Sequence, residues 1–118
     1  TETGTEIIIS WHDFNKTPSS RDLLSMLDFS YKWGGDLAKI ACRVHHPNEL
    51  SRLFALYEKP GRKVILGMGE LGRISRLSAP FLGAEFTFAS LNEANETAPG
   101  QIPYLTMQKI FKILEYNE

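Results

Sequence analysis

Residues 36–43 read DLAKIACR, a short run with the apolar weight of a buried strand and one lysine, Lys39, inside it. An ammonium leaves water only at substantial cost or by giving up its proton, so lysine is seldom fully buried. Lys39 is therefore either an edge residue whose amine reaches solvent or an amine tuned for chemistry.

The same unit recurs on either side of this run. EIIISW (6–11) is a continuous β-branched stretch, and TPSSRDLLSMLDFSYKWGG follows it with helical spacing at Leu23, Leu24, Leu27 and Tyr31. Ser19 and Asp22 have the spacing of a capping box, and Gly34 with Gly35 supplies the stop. After DLAKIACR comes Pro47 at a first helical position, then NELSRLFALYEK, closed by the turn KPGR. KVILGM (63–68) precedes LGRISRLSAPFLG, and EFTFAS (85–90) precedes a loop and PYLTMQKIFKILEY. Strand starts near 6, 36, 63 and 85 leave no room for hairpins. The expected fold class is α/β, with four consecutive parallel β-α units joined by right-handed crossovers.

Such units build either an open doubly wound sheet or a closed barrel. A complete eight-unit barrel takes roughly 200 residues or more, and this chain has 118, enough for half of one. Two open strand edges and an uncovered inner face would follow, so the expected assembly is a homodimer or a complementing partner chain.

The formal charge is −1 and acids and bases are mixed along the chain, which is not the basic footprint of a nucleic-acid binder. Cys42 is the single cysteine, so no internal disulfide forms and a cytoplasmic location is the default. No apolar run approaches a membrane span, and TETGTE lacks the regions of a signal peptide. Residues 1–5 are expected to be a flexible segment or an expression remnant ahead of a single domain at 6–118.

Placed on this scheme, the polar residues gather at the carboxyl ends of the strands, the ligand face of parallel β-α folds. SWHDF ends the first strand with His12, Lys39 lies in the second, Met68 ends the third, Arg76 opens the next helix, and TAPGQ carries Gln101. A base, an amine, a guanidinium and an amide are the groups needed for imine chemistry on a small anionic ketone. An amine attacks a carbonyl only as the free base, which an apolar strand and a nearby cation favour at Lys39. The iminium so formed acidifies the adjacent C–H, and histidine has nearly the right pKa to remove that proton. Arginine grips a carboxylate through two parallel hydrogen bonds.

The segments ISWHDFNKTP, GGDLAKIA, MGELGRISR, FTFA and TAPGQI resemble, in order and spacing, the motifs of the C-terminal half of type I 3-dehydroquinate dehydratase, across residues 7–114. The resemblance implies strands five to eight of a (β/α)8 barrel. It also implies a shikimate-pathway lyase that converts 3-dehydroquinate to 3-dehydroshikimate through a lysine Schiff base, without metal or cofactor. Lys39 matches the Schiff-base lysine, and His12 the histidine that assists imine formation, removes the proton and helps water depart. Arg76 matches the arginine on the substrate carboxylate and Gln101 the closing loop residue. Phe14, Met68 and Phe88 match pocket positions, and Thr97 stands where the family commonly has serine. The family's earlier strands supply a glutamate that orients the histidine, together with further charged residues, and those strands are absent here. LNEANETAPGQ is about two residues longer than the usual form, and KIACRVHHP replaces a more apolar run.

Plainer readings stand beside these. Taken singly, His12 would be a packed or surface histidine, Arg76 a solvated helix residue and Gln101 a turn residue. GMGELG (67–72) satisfies a dinucleotide-binding pattern, with Glu93 further on, but a tight strand-to-helix turn explains the glycines equally. His45 and His46 are adjacent and lack the accompanying ligands of a metal site. The alternative functions are a non-catalytic binding or scaffold module, and another lysine-imine enzyme of aldolase type, against which TAPGQ and HDF argue.

Overall fold

A computed structural model describes residues 5–85 and 104–116 of the chain, so the expected fourth strand lies, beyond Glu85, outside the described residues. The elements in order are β1 (Ile8–Asp13), α1 (Ser20–Lys32), β2 (Leu37–Arg43), α2 (Pro47–Ala55), β3 (Lys63–Met68), α3 (Arg73–Leu82) and α4 (Tyr104–Tyr116). The three strands form one sheet in the order β1-β2-β3, with both pairs parallel.

Local chemistry sets the boundaries. β1 begins at Ile8 rather than residue 6, because the Ile7 N–H donates to Asp36 Oδ2 (2.9 Å) and the Ile7 carbonyl accepts from the Asp36 and Leu37 amides. The ladder can start only beyond that knot. Ser19 Oγ caps α1 by accepting from the Asp22 N–H at 3.2 Å, and Gly34, at φ +90°, follows the helix end. Pro47 opens α2, where the Glu49 carboxylate accepts from the His45 and His46 amides (2.7 and 3.0 Å). The second helix is shorter than its spacing suggested, giving way at Leu56 to a 3₁₀ turn that runs to Glu58.

Strand alternation divides the sheet into two faces. The face toward α1 and α2 carries the larger core, in which Ile40, Cys42 and Ile65 pack against Leu23, Leu27, Leu53 and Leu56. Each fully buried Leu or Ile contributes roughly 1.5–3 kcal/mol. Trp11 fixes α1 on β1 through its Nε1–H, which donates to Ser30 Oγ at 2.8 Å, while Ser30 Oγ donates onward to the Met26 carbonyl.

The opposite, inner face presents Ser10 and His12 from β1, Leu37, Lys39 and Ala41 from β2, and Val64, Leu66 and Met68 from β3. It differs from the uncovered surface the sequence suggested. Leu37, Ala41, Val64, Leu66 and Met68 are buried in one cluster that also holds Ala79 of α3, and only the β1 side, with Ile8 45% exposed, stands open. The far edge of β3 is bonded as well. Ser75 Oγ accepts from the Gly67 N–H (2.7 Å), Tyr57 Oη both donates to the Ile65 carbonyl (2.9 Å) and accepts from its N–H (3.0 Å), and the Glu85 amide bonds the Lys63 carbonyl (3.0 Å). α3 is thus drawn alongside β3.

Candidate active site

The site is built from the register. Ser10 lies opposite Lys39 and His12 opposite Ala41, so His12 and Lys39 are diagonal neighbours on the inner face of adjacent parallel strands. Lys39 is half-buried, and its neighbour across β3 is Val64. Burial removes water from its ammonium and lowers its pKa, and the positive charge of Arg76 lowers it further. His12 responds in the same sense: burial lowers its imidazole below 6.5, and the charge of Lys39 adds to the effect.

Arg76 reaches this face because of how α3 starts. Gly67 in β3 and Gly72, which caps α3, lie in backbone contact. A Cβ on Gly72 would clash with the Gly67 carbonyl carbon. Gly69 between them holds φ +88°, a conformation side chains disfavour. The glycines of GMGELG therefore make a tight strand-to-helix turn and a close helix approach, and leave Arg76 buried at 3% exposure. A solvated helix arginine, the plainer reading, is not what is found.

Phe14 and Met68 flank the polar groups differently. Met68 is buried at 2% exposure, whereas Phe14 is 58% exposed, its ring stacked on His12 with centroids 5.9 Å apart and planes 12° from parallel. Phe88, Thr97 and Gln101 lie outside the described residues. The structure thus places His12, Lys39 and Met68 on the inner face, sets Phe14 against His12, and buries Arg76 where its charge acts on Lys39.

Two nearby groups are excluded from the chemistry. Cys42 points into the core under α1 and α2, and burial pushes its thiol up to about 12, so no nucleophilic thiolate forms near neutral pH. The imidazole of His45 bonds the Asn15 carbonyl at 2.7 Å, and among the described residues no group of three or more His, Cys, Asp or Glu is placed to hold a metal. Arg43 closes β2 without a motif of its own to mark it. Counting by twos from Lys39 along β2 places it on the same face, and that parity was the available signal.

An amine of lowered basicity, an imidazole one diagonal step away and a buried guanidinium form a set that can condense with a ketone, move a proton and hold an anion. The family model described as type I 3-dehydroquinase matches residues 1–118. A protein of Methanocaldococcus jannaschii named 3-dehydroquinate dehydratase is 34% identical over 94% of this chain and 50% of its own length. A protein of that name from Thermodesulfovibrio yellowstonii is 40% identical over 92% of this chain and 48% of its own. The crystal structure of 3-dehydroquinate dehydratase from Geobacillus kaustophilus HTA426 superposes with a TM-score of 0.87 at 30% identity, covering 98% of this chain and 46% of that one. The chain spans about half the length of the curated relatives it matches.

Proposed function

The chain belongs to the type I 3-dehydroquinase family, whose model matches its residues 1–118, and from that premise we propose that it carries the Schiff-base half of a site that dehydrates 3-dehydroquinate to 3-dehydroshikimate. The observation that supports this reading is the register that sets His12 diagonal to Lys39, whose pKa is lowered by burial and by the charge of Arg76. The neutral amine of Lys39 attacks the substrate ketone, and loss of water gives an iminium. His12 takes the proton from the adjacent carbon, the resulting enamine expels the β-hydroxyl, and the protonated imidazole supplies the proton with which it leaves as water. Hydrolysis of the remaining imine returns the amine. Arg76 holds the substrate carboxylate and converts binding into orientation. Met68 and Phe14 are proposed as pocket residues, and the family resemblance assigns Phe88, Thr97 and Gln101, which lie outside the described residues, to substrate binding.

The chemistry requires no metal or cofactor. The shikimate pathway is the metabolic setting and the cytoplasm the compartment; no helix among the described residues is long and apolar enough to cross a membrane. Residues 6–118 act as the C-terminal half-barrel, completed by a second copy or by a complementing N-terminal half.

Trapping tests the proposal. The chain, alone and mixed with a complementing half, is incubated with 3-dehydroquinate and borohydride, and the expected result is a reduced covalent adduct on Lys39 that Lys39→Met abolishes. No adduct under any assembly condition overturns the lyase reading. The half-length match to the relatives favours one further reading, a binding module without turnover, for which calorimetric binding of substrate without product formation is the signature.

A further inference from the structure

Arg43 closes β2 on the face of Lys39, and the proposed chemistry gives it no part. Its Nε–H donates to the Phe14 carbonyl at 3.4 Å. Its Nη1 lies over the Gly69 turn, where an added Cβ would stand 3.1 Å from it. One guanidinium therefore spans from the loop after β1 to the loop after β3. The same strand end holds the β1 loop at two more points: the Arg43 carbonyl accepts from Thr17 Oγ1 at 2.8 Å, and the His45 ring bonds the Asn15 carbonyl at 2.7 Å. Within the loop, Asp13 Oδ1 accepts from the Asn15 and Lys16 amides (2.9 and 3.0 Å).

Phe14 is the residue this clasp controls. Its ring is 58% exposed, so core packing does not determine where it points, yet it lies nearly parallel to the His12 imidazole. A held backbone narrows the rotamers open to an exposed aromatic ring. We infer that Arg43 is a positioning residue: packed against the Gly69 turn and bonded to the Phe14 carbonyl, it holds the Phe14 ring against His12 and restricts the imidazole's rotamers beside Lys39. The inference rests on the reading of His12 as the group that moves the proton. Arginine is suited to the role because its flat head can lie against the Gly69 turn while its Nε–H reaches the Phe14 carbonyl, which an ammonium cannot do.

The test is made by NMR on the full chain, without substrate. The ring-current shift that Phe14 imposes on the His12 Hε1 signal is taken as the difference between the parent and Phe14→Leu. Arg43→Met, which keeps an apolar stem and loses every donor, is expected to lose most of that shift and the nuclear Overhauser contacts between the two rings. In the Phe14→Leu background, adding Arg43→Met should change the His12 signal no further, because the effect travels through the ring. An Arg43→Met variant with the full shift overturns the proposal. So does an effect of equal size in the Phe14→Leu background, which would mark a direct influence of the arginine charge. If Arg43→Met fails to fold by circular dichroism, Arg43→Lys is put through the same comparison with the same outcomes. None of these signals depends on turnover: a missing borohydride adduct with an intact stack sinks the lyase reading and leaves the clamp, and the reverse result does the opposite.

Discussion

Two lysines in this chain separate a structural amine from one available for chemistry. Lys63 is the more deeply buried, at 4% exposure, and its Nζ donates to the Lys59 and Gly61 carbonyls, both at 2.6 Å. Burial lowers its pKa as well, but those carbonyls occupy its donors. Lys39 is instead desolvated and feels the positive charge of Arg76, a setting that favours the neutral amine. Because the folded state holds the Lys39 proton less tightly than the unfolded chain, whose value is 10.5, the unfolded state binds more protons between the two pKa values. Stability then rises with pH through that window, and the native state is penalised below it. Lys39→Met should therefore raise stability against urea at neutral pH. The advantage should shrink as pH climbs toward 10.5; denaturation midpoints across that range, with unchanged urea slopes, check the sign. An advantage independent of pH would mean that the amine is not desolvated.

At the scale of elements, the active geometry depends on how closely α3 approaches β3. The sequence offered GMGELG as either a nucleotide cradle or a tight turn, and the backbone contact between Gly67 and Gly72 explains it as the turn. Gly72→Ala drives a methyl into the Gly67 carbonyl. The helix start must move, and a loss of about 1–3 kcal/mol is expected. Because Arg76 lies one turn into that helix, the same substitution should also raise the Lys39 pKa toward its ordinary value as the guanidinium withdraws. Chemical denaturation and the pH dependence of amine modification at Lys39 measure the two effects. The strands, helices and caps were legible because they follow from short-range patterns: β-branched runs, the Ser19 cap, and Pro47 at a helix start. The start of β1 was not, because a side chain from another segment, Asp36, takes the Ile7 amide.

For the whole molecule, the open boundary is β1. It pairs on one side only among the described strands, and its inner face leaves Ile8 exposed. On its helix side, Trp11, Trp33 and Phe29 form an aromatic stack, with Trp33 63% exposed. An unpaired edge beside exposed apolar surface favours association. Light scattering is expected to give a mass above that of one 13.4 kDa chain, and adding Lys at Ile8 (Ile8→Lys) should return it toward the monomer. A stable monomer for the parent chain would contradict the proposed completion of the barrel. The opposite boundary behaves differently, since Tyr57 and Ser75 already bond the outer edge of β3.

Read alone, the chain determined its rhythm of alternating strands and helices, the parallel sense of the strands, and the singular position of Lys39, because hydrophobic period and loop length act over a few residues. Parity along β2 held Arg43 in view without saying what it touches. Only the tertiary structure decided that Arg76 is buried close enough to depress Lys39, that Phe14 lies on His12, and that Lys63 is held by carbonyls. Each of these depends on contacts between segments distant in sequence, and both electrostatic coupling and desolvation are set by distance in space.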